Sequence, residues 1–215
     1  MKSKSTPTQR ALNVWAVILI IWAVYRANFG TSMPVWFDEF IAKPAVFILP
    51  VYYYISRIEK KRFFEQVGLG HSIGLRDIAV AGLLTVIFCG FLWYARSALG
   101  LPATSGMYLV WLLVLAIATA ISEQILATGF ILHRLYDESK NVITAPFFSS
   151  ILFFFLHIPI LFTDQRIVGY LLLRIMLTDV LLSLSISFMY VARRNLLYPI
   201  IIHTFYNLSI YFLTI

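Results

Sequence analysis

The sequence predicts an all-α fold: a polytopic transmembrane helical bundle of about seven spanning helices, with the N-terminus inside. Three observations carry this. Of 215 residues, 60% are hydrophobic and only 13% charged, and the mean hydropathy is +0.84, a composition outside the range of ordinary soluble domains. The apolar residues gather into seven runs, each near the roughly 20 residues that a helix needs to cross the hydrocarbon core. Between the runs, Lys and Arg alternate from side to side, twelve on one side against three on the other.

The first run is about Ala11–Tyr25, preceded by a polar, basic tail over residues 1–10. It is too long for a signal peptide and shows no small-residue cleavage site, so it reads as a retained span. The second, about Pro34–Ile55, carries Asp38, Glu39 and Lys43 in its first half. Glu39 and Lys43 are spaced i, i+4 and can pair, which neutralises that end of the helix. A basic connection then runs from Arg57 to Asp77. The third run is about Ile78–Tyr94, and its Cys89, the lone cysteine, excludes an internal disulfide and a cysteine-based metal cluster. It reads as a structural thiol. The fourth, about Met107–Tyr136, is too long for one perpendicular span and should tilt or protrude. The fifth is about Val142–Phe162, the sixth about Val168–Ala192 and the seventh about Leu196–Ile215. The organisation expected is a cytoplasmic tail over residues 1–10, two N-terminal helices with a cytoplasmic loop over 11–63, and a core over 64–215.

Orientation follows from the basic residues. Lys2, Lys4, Arg10, Arg57, Lys60, Lys61, Arg62, Arg76, Arg134, Lys140, Arg193 and Arg194 fall on one side, and Arg26, Arg96 and Arg166 on the other. The richer side is normally cytoplasmic. A net charge of +7 that is dispersed in this way sets topology and does not indicate nucleic acid, which is excluded as a partner. The partner is the lipid bilayer.

Polar residues inside the last four runs are few. Glu123 lies mid-run in the fourth, where an unpaired carboxylate costs upward of roughly 2.5 kcal/mol, so such residues face a polar interior and mark function. Gln124 and Thr128 stand one turn apart beside it, as do Phe153 and His157 in the fifth run, and His203 and Asn207 in the seventh. At about 1.5 Å rise per residue, Glu123 and His203 lie about 12–15 Å, and His157 and Asn207 about 18–20 Å, from the cytoplasmic ends of their helices. Four polar groups on three helices therefore occupy one layer. Taken singly, each His, Asn207, Gln124 and Thr128 also fit as interhelical hydrogen-bonding glue, and Phe153, within Phe153-Phe154-Phe155, as a lipid-facing or packing aromatic. In the sixth run Arg174 and Asp179 are five apart and off-face, so a partner on another helix is expected. His133, Arg134 and Asp137 fall at a cytoplasmic helix end and read as interfacial.

These residues resemble the CAAX-protease and bacteriocin-processing (CPBP, also called ABI) intramembrane endopeptidases, whose pattern is E-E-x-x-x-R, then F-x-x-x-H, then H-x-x-x-N or D. Phe153-Phe-Phe-Leu-His157 and His203-Thr-Phe-Tyr-Asn207 fit the second and third motifs as they stand. Setting Gly129 on the glycine that often follows the arginine puts Glu123 on the first glutamate, Gln124 on the second and Thr128 on the arginine. The resemblance covers about residues 64–210, with Val67-Gly68-Leu69 as a lead-in. It implies a glutamate-dependent endopeptidase in a bacterial cytoplasmic membrane, acting on a membrane-embedded or lipid-modified peptide or protein substrate.

Peptide hydrolysis needs a base for water, donors for the oxyanion and a proton for the leaving amine. Glu123 and His157 would hold and activate water, and His203 and Asn207 would donate to the carbonyl oxygen. No cofactor is expected. The alternative is zinc, because two His and one Glu form a familiar ligand set, although no H-E-x-x-H pair is present. At Gln124 and Thr128 an acid and a base are lost together, so charge is kept and an amide-to-hydroxyl contact can replace a buried ion pair. If the second glutamate is itself needed, the chain is a pseudo-enzyme, and a non-catalytic bacteriocin-immunity or peptide-binding membrane protein is the alternative function. A transporter fits less well, with no duplicated half or broken helix evident.

Overall fold

The computed structural model describes residues 5–29, 32–70, 74–98, 100, 106–163 and 169–214. These form helices joined by short turns and irregular links, with no strand among the described residues. The side chains of Cys89 and Arg174 lie outside what is described. Seven long helices occur among the described residues, one over each apolar run. They are α1 (Pro7–Asn28), α2 (residues 35–58), α3 (Leu75–Ala98), α4 (Gly106–Ser139), α5 (Thr144–Thr163), α6 (Gly169–Arg193) and α7 (Leu197–Thr214). Among the described residues, three stretches are long and apolar enough to cross a membrane by length and composition alone: α1, α4 and Met176–Arg193 within α6.

Local chemistry explains where the helices begin. α1 starts at Pro7, ahead of the apolar run, because Thr6 and Gln9 form a capping box: the Gln9 amide donates to Thr6 Oγ1 at 3.2 Å, and the Thr6 amide to Gln9 Oε1 at 3.0 Å. Pro7 at the first helical position loses no hydrogen bond. Asn141 Oδ1 accepts from the amides of Ile143 and Thr144 ahead of α5, each at 2.9 Å, and Asn195 Oδ1 accepts from the amide of Leu197 at the start of α7.

Two helices contain widened, π-type turns. In α2, Lys43 N–H reaches Asp38 C=O and Leu49 N–H reaches Pro44 C=O, five residues back. Pro44 and Pro50 lack an N–H and interrupt the ordinary ladder. In α4 the wide turns span Ile125–Leu132, directly after Gln124, and such insertions often occur at functional sites. At 34 residues α4 runs about 51 Å, longer than the roughly 30 Å hydrocarbon core, as the length of its apolar run requires.

The wide stretch of α4 is the centre of the packing. Leu126, Phe130, Ile131 and Leu132 are fully buried against Trp22 of α1 and Phe47, Val51 and Ile55 of α2, together with Tyr190 of α6 and Leu196. Elsewhere α4 packs on α7, and α5 on α6. Because lipid is as apolar as these side chains, close contact and hydrogen bonds hold the helices together in place of water exclusion. Large apolar side chains such as Ile20, Leu83, Val86 and Leu177 cover the outside.

Gly129 permits one close approach. A Cβ there would lie 2.9 Å from both Val67 Cβ and Val67 O, so α4 and the segment after α2 touch through backbone. That segment is anchored on its other side, where the Leu196 amide donates to Gly68 O at 3.0 Å. Gly129→Ala is expected to lower stability by about 1–3 kcal/mol, read as a lower thermal midpoint in detergent; an unchanged midpoint would mean that residues 67–68 yield freely.

At one end of α4, Arg134 is buried rather than interfacial: Nη2 donates to Glu59 Oε2 at 2.8 Å and the guanidinium lies 4.2 Å from the Phe130 ring centroid. A paired, stacked arginine tolerates burial. His133 and Asp137 pair with each other at 3.0 Å, and Asp137, half-exposed, also accepts from Arg194 at 2.7 Å.

Candidate active site

The site is built by four helices. α4 carries Glu123 and Gln124 at the onset of its wide turns, and both are buried. α5 carries Phe153 and His157, α7 carries His203 and Asn207, and α2 brings Lys43 and Glu39 from the other side. Glu123, His157 and His203 come together: Glu123 Oε2 is 3.6 Å from His157 Nε2 and 3.5 Å from His203 Nε2. Among the described residues Oε2 finds no hydrogen-bond partner, and neither does the buried Nδ2 of Asn207. Buried polar atoms of this kind are rare and call for a reason.

Hydrogen bonds set the ring orientations. His157 Nδ1 faces its own-turn carbonyl, Phe153 O, at 3.2 Å. Nδ1 therefore carries a proton, and in the neutral ring Nε2 presents a lone pair toward Glu123. On His203 the order is reversed. Thr128 Oγ1 donates to Gln124 Oε1 at 2.6 Å, and Gln124 Nε2 donates to His203 Nδ1 at 2.9 Å. With Nδ1 accepting, the neutral ring carries its proton on Nε2, so His203 is a donor toward the site. The contact between Gln124 and Thr128 thus leads to a tautomer lock on His203.

Phe153 is 1% exposed, which removes the lipid-facing reading. Its ring lies 4.7 Å from that of His157 and 5.6 Å edge-on to that of His203, so it spaces the two imidazoles. Asp179 on α6 finds its partner on another helix, as its off-face position required: Tyr206 Oη donates to Asp179 Oδ1 at 2.7 Å.

Lys43 is the residue that sequence reasoning placed wrongly. It does pair with Glu39, 2.8 Å away, but the same Nζ donates to Glu123 Oε1 at 2.8 Å. Behind it, Thr119 donates to Glu39 Oε2 at 2.6 Å. The i, i+4 pair on α2 therefore belongs to the site rather than to a helix end. The end of α2 is neutralised by Asp38 instead, which accepts from Arg26 at 2.8 Å and from the Tyr25 hydroxyl. No signal in the sequence marks the contact with Glu123, because the third charge of the span, Asp38, is taken by Arg26. Among the described residues, no group of three His, Cys, Asp or Glu is arranged to hold a metal ion, and a cation beside Glu123 would meet the Lys43 ammonium.

The class so described is an all-helical membrane protein with an acid–base centre buried among its helices. Residues 105–209 match the family described as type II CAAX prenyl endopeptidase, Rce1-like, in accord with the CPBP resemblance. No curated protein and no solved structure matches the chain.

Proposed function

We propose that the protein is an intramembrane endopeptidase that hydrolyses a peptide bond in a lipid-modified, CAAX-type protein or peptide, from a position in a cell membrane that it crosses seven times with its N-terminus inside. The single observation that carries the reaction is the free, buried Glu123 Oε2 set between two imidazole nitrogens. A water held by Glu123 Oε2 and His157 Nε2 gives its proton to the carboxylate, and its oxygen attacks the scissile carbonyl carbon. The carbonyl oxygen becomes an oxyanion that receives N–H from His203 Nε2 and Asn207 Nδ2. Collapse breaks the C–N bond, and the proton on Glu123 passes to the leaving amine.

An apolar cleft of about 640 Å³ between α3, α4 and α7 supports the substrate class. Its wall includes Trp93, Leu113, Ile117 and Thr204, the last adjacent in sequence to His203. A long hydrocarbon chain fits such a lining, and clefts of this size are typical ligand sites.

The test is purified protein in nanodiscs with a prenylated peptide ending in a CAAX-type sequence, products read by mass spectrometry. Cleavage that falls sharply for the unprenylated peptide is expected. A folded wild-type protein that cleaves neither would overturn the reading in favour of a non-catalytic binder.

A further inference from the structure

Lys43 lies outside residues 105–209, on a helix that the family match does not include, yet it touches the central carboxylate. Lys43, Glu39 and Glu123 are 5%, 7% and 3% exposed, and the ammonium stands 2.8 Å from an oxygen of each carboxylate. The two oxygens of Glu123 are consequently unlike: Oε1 is bound to Lys43, while Oε2 has no hydrogen-bond partner among the described residues and faces His157 and His203. A free carboxylate would exchange the two by rotation. A long lysine side chain alone would hold it loosely, but here Nζ is fixed from behind by Glu39, and Glu39 by the Thr119 hydroxyl one turn before Glu123 on α4.

We infer that Lys43, backed by Glu39 and Thr119, is a positioning residue for the reaction: it takes Oε1 of Glu123 and so makes Oε2 the oxygen that handles the proton. The inference rests on the peptidase reading above. It assigns the N-terminal helices a part in the chemistry, because α2 supplies the counter-charge without which the buried carboxylate has no fixed orientation.

The experiment compares wild type, Lys43→Met, Lys43→Arg and Lys43→Met/Glu39→Gln on the same prenylated peptide, with thermal unfolding alongside. Lys43→Met should lower kcat about 10²-fold, the loss typical of displacing a reacting group by an ångström, with KM within about twofold because substrate contacts stay. Lys43→Arg, which keeps the charge, should recover part of kcat. The double variant restores the net charge of the trio and so the thermal midpoint, while kcat stays low. Recovery of both midpoint and kcat in the double variant would show that Lys43 only balances charge and would overturn the inference, as would an unchanged kcat in Lys43→Met. Neither result touches the peptidase reading, which falls only if wild type is inactive. Pairing itself is read without substrate. The midpoint losses of Lys43→Met and Glu123→Gln should be less than additive in the combined variant, and additive losses would also overturn the proposal.

Discussion

Glu123→Gln should abolish measurable hydrolysis, lowering kcat by about 10²–10⁴-fold, the range contributed by a positioned general base and equivalent to about 2.7–5.5 kcal/mol of barrier. The protein should remain folded. Gln keeps the shape of the side chain, its oxygen can still accept from Lys43, and Lys43 retains Glu39 2.8 Å away, so no buried charge is stranded. Substrate binding should survive too, because Glu123 works on water and not on the peptide. The check is kcat and KM on the prenylated peptide together with the thermal midpoint. Activity within tenfold of wild type at a normal midpoint would remove Glu123 as the base.

Much of the helical architecture was legible because a span has to be apolar over its whole length, so composition marks it regardless of tertiary context. Each apolar run became one long helix, and only the ends moved, as at Pro7, where a capping box inside the polar tail starts α1 early. The candidate site was legible in part for the same reason: polar residues among aliphatic ones are conspicuous, and Glu123, His157 and His203 meet. What could not be read is pairing between distant segments. Glu39 and Lys43 show as neighbours at i, i+4, but nothing in that spacing tells that Nζ also reaches a carboxylate 80 residues further on. The widened turns of α2 and α4 are equally silent, since a π register depends on which carbonyls packing leaves available. The burial of Arg134 is equally unreadable, because its charge partner Glu59 lies just past the end of α2, 75 residues away in the sequence.

His203→Ala should cost about 10²–10³-fold in kcat, the loss seen when one preorganised oxyanion donor is removed. The direction depends on the proton being on Nε2, and the chain from Thr128 through Gln124 to Nδ1 puts it there. Gln124→Ala should therefore act through His203, with a smaller loss of roughly tenfold as for other groups that orient a functional side chain. It should also change the ¹⁵N resonances of the His203 ring, a signature that loss of packing alone would leave unmoved. Because the oxyanion exists only in the transition state, both variants should lower kcat with little change in KM. A rise in KM alone for His203→Ala would place that ring on the ground-state substrate instead. An unaltered ring spectrum in Gln124→Ala would mean that the departure from the charged motif has no bearing on the tautomer.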